Sequence, residues 1–75
     1  MKNRYHINLF YSETDACWVA DVPDLKQCSA FGATPEEALA EVNIAMDLWL
    51  GAARKLRKPI PKPAYRPAIY QLAAG

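Results

Sequence analysis

The side chains best suited to catalysis or metal binding in this sequence are four aspartates, one histidine and two cysteines. A nuclease that uses two metal ions needs several carboxylates converging on ions roughly 4 Å apart. The pattern of turns and strands places Asp15 in a turn, Asp21 at a strand end, Asp24 in a corner and Asp47 on the outer face of a helix. We therefore expect these carboxylates not to converge, and predict that the protein is not an enzyme.

The histidine and the cysteines offer no metal or cofactor site. His6 has no acid or nucleophile at a motif spacing and too few companions for zinc, so we expect it on a sheet face with its nitrogens solvated or hydrogen-bonded. If residues 23–26 form a hairpin turn, Cys28 lies opposite Asp21 while Cys17 lies at the far end of its strand. The two cysteines would then be separated by four strand steps of about 3.3 Å each. This separation exceeds the limit of about 7 Å between the Cα atoms of two cysteines joined by a disulfide. Both cysteines are therefore predicted to be free thiols, as a reducing cytosol would also favour.

The size and composition indicate one small globular domain. A chain of 75 residues buries only about 60% of its unfolded surface, so its stability is marginal and oligomerisation is expected. With 52% hydrophobic and 23% charged residues it is typical of soluble proteins. It contains no apolar run near the roughly 20 residues that span a bilayer, and its basic N-terminus is not followed by a small-residue cleavage site. We expect no membrane contact and a cytoplasmic location.

Three strands are predicted ahead of a helix. Residues 5–11 alternate with the period of two that is typical of a strand. A polar turn at 12–16 leads to an antiparallel return over 17–22, which is rich in β-branched and aromatic residues. A third strand is predicted over 28–31. Residues 66–72 form a candidate fourth strand, restricted to an edge or a strand start by Pro67.

A capping box marks the start of the helix. The Thr34 hydroxyl can accept the Glu37 backbone N–H, and the Glu37 carboxylate can reach back to the Thr34 N–H. Pro35 falls at the first helical position, where its missing N–H costs nothing. We predict a helix from Pro35 to about Arg57, followed by a stiff, extended, proline-rich segment over residues 59–63.

The predicted helix is apolar on two sides. At 100° per residue its main core face comprises Ala38, Leu39, Val42, Ala45, Met46, Trp49, Ala53 and Leu56. Ile44 and Leu48 lie one turn apart on the opposite side. They are either scattered exposed aliphatic residues, which are common, or a surface buried against a second copy of the chain.

The charges are sorted along the chain although the net charge is only +1. All eight carboxylates lie within residues 13–47, and six of the nine basic residues follow them. Basic side chains in a last helical turn complement the helix dipole. The alternative is a basic patch for phosphates or an acidic partner, with candidate contacts at Arg54, Lys55, Arg57 and Lys58.

Several motifs in a fixed order resemble the HicB-like antitoxin family of bacterial toxin–antitoxin systems. They are an aromatic-led first strand, the corner Val22-Pro23-Asp24-Leu25, Cys28, the helix start Gly32-x-Thr34-x-Glu36-Glu37-Ala38, and the exit Pro59-Ile60-Pro61. The resemblance implies an α+β fold of β-β-β-α-(β) order, in which an antiparallel-rich sheet of three to four strands packs on one long helix as in a truncated ribonuclease H domain. It also implies a partner, a HicA-type mRNA-cleaving toxin, and self-association into a dimer or tetramer.

The resemblance divides the chain into a HicB-like domain over residues 1–63 and a C-terminal tail over 64–75. Family members that repress their own operon usually carry a further DNA-binding module, and only about twelve residues follow Pro63. We therefore expect no separate DNA-binding domain and no direct binding to operator DNA. The alternative function is an orphan nucleic-acid-binding module that uses the basic segment 54–66.

The aromatic residues of the first two strands suggest where a toxin would bind. Phe10 and Trp18 are expected near one another, on the sheet face away from the helix. One interpretation is a satellite cluster covered by Tyr65 or Tyr70 of the tail. The other is an exposed aromatic and acidic surface that fits a basic, RNA-cleaving toxin. Its predicted toxin-binding residues are Trp18, Asp21 and Asp24.

Overall fold

Three strands precede one long helix in the computed structural model, which describes residues 4–67. Strand β1 spans Asn8–Ser12, β2 spans Cys17–Asp21, β3 spans Ser29–Gly32 and helix α1 spans Pro35–Lys55. The predicted α+β class and β-β-β-α order are confirmed. The candidate fourth strand lies mostly outside the described residues, and Tyr70 lies outside them entirely. No helix within residues 4–67 is long and apolar enough to cross a membrane.

The sheet is antiparallel with the order β1-β2-β3. Its central row pairs Leu9 with Ala20 and Ala20 with Ala30. Strand β1 begins three residues later than predicted, but the segment before it is not detached from the fold, because Tyr5 and Ile7 pack against the core. The expected pairing of Cys28 with Asp21 is wrong by one residue, since Ser29 occupies that position.

The connection between β2 and β3 folds inward, which explains the shift in register. The Val22 N–H donates to the Cys28 carbonyl at 3.0 Å, and the Leu25 N–H donates to the Val22 carbonyl at 3.1 Å. Gln27 takes a left-handed conformation with φ of 60°. This compact corner buries the side chains of Val22, Leu25 and Cys28 in the core.

The start of helix α1 follows the predicted capping chemistry with one difference. The Glu37 N–H donates to Thr34 Oγ1 at 3.1 Å, and Pro35 begins the helix. The Glu37 carboxylate accepts the N–H of Ala33 at 2.6 Å rather than that of Thr34. The reciprocal bond therefore closes one residue earlier. Thr34 itself has the extended backbone usual for an N-cap residue, at φ −130° and ψ 160°.

The helix ends two residues before the predicted position, in a Schellman arrangement. The Arg57 N–H donates to the Arg54 carbonyl, and the Lys58 N–H donates to the Ala53 carbonyl at 2.8 Å. Arg57 adopts the left-handed conformation, with φ of 57°, that this motif requires. Leu56 is the C-cap residue.

One face of α1 packs on the sheet and forms the core. Its buried residues are Ala38, Val42, Met46, Leu50 and Ala53. The predicted core positions Leu39 and Leu56 are wrong, since both are exposed. Leu56 lies beyond the last helical residue, where a helical projection no longer applies. The prediction missed Leu50. The buried face of the helix follows residues spaced by four from Ala38, and Leu50 is one of them.

Candidate protein-interaction surface

The two faces of the sheet differ in what they contact. The inner face carries Ala20, which is fully buried, and Trp18, which packs against the core. Gly32 pairs with Trp18 and lies against the start of α1, where an added Cβ would meet the Ala38 nitrogen at 2.3 Å. Because side chains alternate along a strand, Val19 and Asp21 belong to the opposite, outer face.

The predicted placement of Trp18 on the outer face is wrong. The register pairs Trp18 with Tyr11, and the two rings form an edge-to-face contact with centroids 5.5 Å apart. Phe10 instead pairs with Val19. Paired residues share a face of the sheet, and successive residues of a strand lie on opposite faces. Phe10 therefore lies with Val19 on the outer face, whereas Trp18 lies on the helix side.

A row of apolar side chains crosses the outer face, and we call it the outer row: Phe10, Val19 and Phe31. These residues are cross-strand neighbours on β1, β2 and β3. Phe10 is 49% exposed and Phe31 is 56% exposed, while Val19 between them is only 8% exposed. No described helix or strand covers this row. Phe31 was not among the predicted toxin-binding residues, although alternation along β3 places it on the face opposite to its neighbour Gly32.

Acidic side chains border the outer row. Asp21 lies two residues from Val19 on the same face, in register with Asn8 and Ser29. At the other end of the sheet, Glu13 and Asp15 are exposed in the turn between β1 and β2. The Asp15 backbone N–H donates to Ser12 Oγ at 3.2 Å, which fixes that turn. The outer face thus combines an apolar centre with negative charge at its margins.

Asp24 holds the C-terminal tail in place, a structural role that was not predicted from the sequence. Its carboxylate accepts the backbone N–H groups of Ala64, at 3.1 Å, and of Tyr65, at 3.1 to 3.2 Å. The tail is further held where the Tyr5 hydroxyl donates to the Pro61 carbonyl. Asp24 is therefore committed to anchoring the tail. Tyr65 packs on His6, with ring centroids 4.7 Å apart, and does not cover the pair Phe10 and Trp18.

The outer side of helix α1 presents a second apolar surface. Ile44 is 54% exposed and Leu48 is 69% exposed, four residues apart on the side away from the sheet. Their predicted position outside the core of the single chain is confirmed.

The predicted basic residues gather where the helix ends. Arg54 and Lys55 lie in the last turn, and Arg57 and Lys58 follow it, all four exposed. Beside them is a groove of about 390 Å³ lined by Trp49, Ala52, Ala53, Leu56, Lys58 and Pro59. The Trp49 ring N–H donates to the Lys26 carbonyl at 3.0 Å, tying this end of the helix to the β2–β3 corner.

A comparison with known proteins identifies the family. Over 53 residues the chain is 38% identical to the UPF0150 protein ssl0259 of Synechocystis sp., a stretch that covers 71% of this chain and 73% of that protein. The chain belongs to the UPF0150 family. It matches no protein-family model and no solved structure.

The four aspartates of this UPF0150 protein lie in separate elements. Asp15 is in the β1–β2 turn, Asp21 ends β2, Asp24 is in the corner and Asp47 lies on the exposed side of α1. Within the described residues, no three histidine, cysteine or acidic side chains are grouped so that they could hold a metal ion.

Both cysteines of the UPF0150 chain are free thiols, in different surroundings. Cys17 is half-buried at the start of β2, whereas Cys28 is buried in the core. Burial in the core raises the pKa of the Cys28 thiol, and the nearby Asp21 carboxylate adds to that rise. Cys28 is thus a core residue held in its neutral form.

Proposed function

We propose that this UPF0150 protein is a HicB-like antitoxin, a module that binds and neutralises a HicA-type mRNA-cleaving toxin. Three observations support the proposal: membership of the UPF0150 family, the order of motifs from the first strand to the Pro59 exit, and the β-β-β-α architecture. The protein acts by binding its partner and carries out no catalysis itself.

The observation that carries the proposal is the outer row, which no described helix or strand covers, with its acidic margin. Exposed aromatic side chains are typical anchors of protein interfaces. An enzyme that binds RNA needs a positive surface for the phosphates. Asp21 on the outer face, with Glu13 and Asp15 at the sheet end, is complementary to such a surface. In this proposal Phe10 and Phe31 take the role predicted for Trp18, and Asp21 keeps its role.

Neutralisation then follows from competition for the positive surface of the toxin. Carboxylates at the margin of the outer row occupy the place of RNA phosphates, while the aromatic centre excludes water and holds the complex together. A toxin covered in this way cannot bind mRNA.

Rescue of growth in bacteria that express both proteins tests the proposed surface. Phe31→Asp places a charge at one end of the outer row and should abolish rescue from the toxin, as should Phe10→Asp at the other end. Leu39→Asp is the matched control, because it introduces the same charge at an exposed apolar residue of the helix that lies in neither proposed interface, and it should retain rescue. Full rescue by Phe31→Asp together with loss of rescue by Leu39→Asp would locate the toxin interface on the helix.

We also propose that the protein forms homo-oligomers through the outer side of α1. Ile44 and Leu48 expose apolar surface in a chain whose small size leaves its stability marginal. Sedimentation velocity should show a dimer or tetramer at micromolar concentration, and the double variant Ile44→Asp, Leu48→Asp should sediment as a monomer. A monomeric parent protein, or a variant that remains oligomeric, would contradict this.

The clustered basic side chains favour one alternative function, binding of nucleic acid at the helix end. Its contacts would be Arg54, Lys55, Arg57 and Lys58, which are all exposed. The logarithm of a phosphate-based binding constant falls linearly with the logarithm of the salt concentration, whereas a complex with an apolar centre survives moderate salt. A steep salt dependence of RNA binding that is lost in Arg54→Ala would favour this alternative.

A further inference from the structure

Acidic, apolar and basic residues follow one another along the outer side of helix α1. At 100° per residue, this side lies within about 60° of the line midway between Ile44 and Leu48. Every residue on it is exposed. We call this surface the helix stripe: Glu37, Ala40, Glu41, Ile44, Leu48, Gly51, Ala52 and Lys55. Its charges are negative near the start of the helix and positive near the end.

The helix stripe is symmetric about its middle, at the level of Met46. Ile44 and Leu48 lie equally far from that level, one on each side. Glu37 and Lys55 are likewise equally far from it. A two-fold axis through this level therefore brings Ile44 of one copy opposite Leu48 of another. The same axis brings Glu37 opposite Lys55. An interface built in this way is complementary to itself, as a two-fold dimer requires.

The opposite charges of the helix stripe cannot meet within one chain. A helix rises about 21 Å between residues 41 and 55, so the Lys55 ammonium cannot reach the Glu41 carboxylate of its own copy. Neither side chain forms an ion pair within residues 4–67. In an antiparallel pair of helices, Lys55 of each copy lies beside Glu37 and Glu41 of the other. The charges therefore favour the antiparallel orientation over the parallel one, in which like charges meet.

The middle of the helix stripe is open to close approach. Ile44 and Leu48 are both more than half exposed, so each has apolar surface to bury against another copy. A Cβ added at Gly51 would meet nothing within 4 Å, so the space above this residue is free. In the antiparallel pair Gly51 lies opposite Glu41, whose carboxylate reaches toward Lys55 one helical turn further on.

We propose that α1 pairs in antiparallel orientation with α1 of a second copy through the helix stripe. The proposal rests on the self-association proposed above and adds its geometry. The dimer has four layers, with one sheet outside each of the two central helices. Because each outer row lies on the sheet face away from its helix, the two rows face outward at opposite ends of the dimer. Each copy therefore keeps its outer row free to bind a toxin.

Charge reversal tests the orientation, with the dissociation constant of the dimer measured by sedimentation equilibrium. Glu41→Lys should weaken dimerisation about tenfold, because two-fold symmetry places the changed charge at both ends of the interface. Lys55→Glu should weaken it further, since Lys55 faces two carboxylates. The double variant should dimerise more tightly than Lys55→Glu alone, because the reversed pair attracts again. Glu37 is left unchanged because its carboxylate also accepts the Ala33 N–H at the helix start.

Glu13→Lys is the matched control, since it makes the same change of charge in the exposed β1–β2 turn and should leave dimerisation unchanged. Equal weakening by Glu13→Lys and Glu41→Lys would show that only net charge matters and would overturn the proposal. A double variant that dimerises no more tightly than Lys55→Glu would overturn it too. So would tighter dimerisation of Glu41→Lys alone, the result expected of a parallel pair.

These measurements separate the orientation of the dimer from self-association itself. If the double variant Ile44→Asp, Leu48→Asp disrupts the dimer while the charge reversals do not, self-association through α1 stands and the antiparallel pairing is wrong. A parent protein that is monomeric at micromolar concentration would overturn both. Toxin binding is measured independently, by the rescue of growth with the Phe31→Asp variant.

Discussion

At the scale of single residues, the closest approach of strand to helix depends on Gly32. A Cβ at this position would lie 2.3 Å from the backbone nitrogen of Ala38 and 2.8 Å from the carbonyl carbon of Glu37. Both atoms belong to the backbone of the first helical turns, so no side-chain rotation can relieve the overlap. The glycine therefore sets how closely β3 and α1 pack.

Gly32→Ala should destabilise the protein by about 1–3 kcal/mol or more, because the helix must move away from the sheet to make room. Urea unfolding followed by circular dichroism measures this change. Gly51→Ala is the matched control, since a Cβ there meets nothing within 4 Å. In the middle of a helix it should stabilise by about 0.5–1 kcal/mol. A harmless Gly32→Ala would contradict the observed packing of β3 on α1.

The buried thiol of Cys28 should make the stability depend on pH. Because burial raises its pKa in the folded state, the unfolded chain loses this proton first as the pH rises. The stabilisation is fully present below the ordinary thiol pKa of about 8.5 and is lost as the pH rises through the raised value in the folded protein.

Urea unfolding at several alkaline pH values measures this effect. The decline in unfolding free energy above the ordinary thiol pKa should be smaller in Cys28→Ala than in the parent protein. Cys17→Ala, which removes the half-buried thiol, should retain the decline of the parent. Identical pH profiles for all three proteins would show that the Cys28 proton contributes nothing to stability.

At the scale of elements, helix α1 is delimited by hydrogen bonds at both ends. Thr34 and Glu37 close its N-terminus, while the carbonyls of Ala53 and Arg54 accept bonds from the two residues beyond its C-cap. Acidic Glu36 in the first turn and basic Lys55 in the last turn complement the helix dipole. These local interactions fix the length of the helix before its packing is considered.

Thr34→Ala should lower the unfolding free energy by about 1 kcal/mol, because the Glu37 N–H loses its acceptor. Thermal unfolding with Thr14→Ala as control measures this, since Thr14 is an exposed residue of the β1–β2 turn and should be nearly neutral. Equal effects of the two substitutions would mean that the cap contributes no specific stability.

Short-range sequence signals predicted the positions of the helix and the strands well. The sheet face on which a side chain lies depended instead on the register between strands. The capping box and the prolines delimit α1 from short-range chemistry alone. Alternation located the first strand, and β-branched and aromatic residues located the second. The side of the sheet on which Trp18 lies could not be deduced, because it depends on how β1 pairs with β2, and a slip of one residue exchanges the faces. The role of Asp24 was equally inaccessible, since its partners Ala64 and Tyr65 are 40 and 41 residues away.

At the scale of the whole molecule, helix α1 covers one face of the sheet, and no described helix or strand covers the other. The core therefore lies between α1 and the inner face, and Phe10 and Phe31 remain exposed on the opposite side. Ile44 and Leu48 form a second apolar surface on the far side of the helix. We assign the first surface to a toxin, because its exposed phenylalanines are typical interface anchors, and the second to another copy of the chain.

Mapping the contact by NMR shows whether the outer sheet face binds a basic toxin. Isotope-labelled protein is titrated with its unlabelled toxin, and changes in amide signals are followed. We expect the largest changes at Phe10, Val19, Asp21 and Phe31. Changes confined to the side of α1 that carries Ile44 and Leu48, or to the basic residues 54–58, with the outer row unaffected, would contradict it.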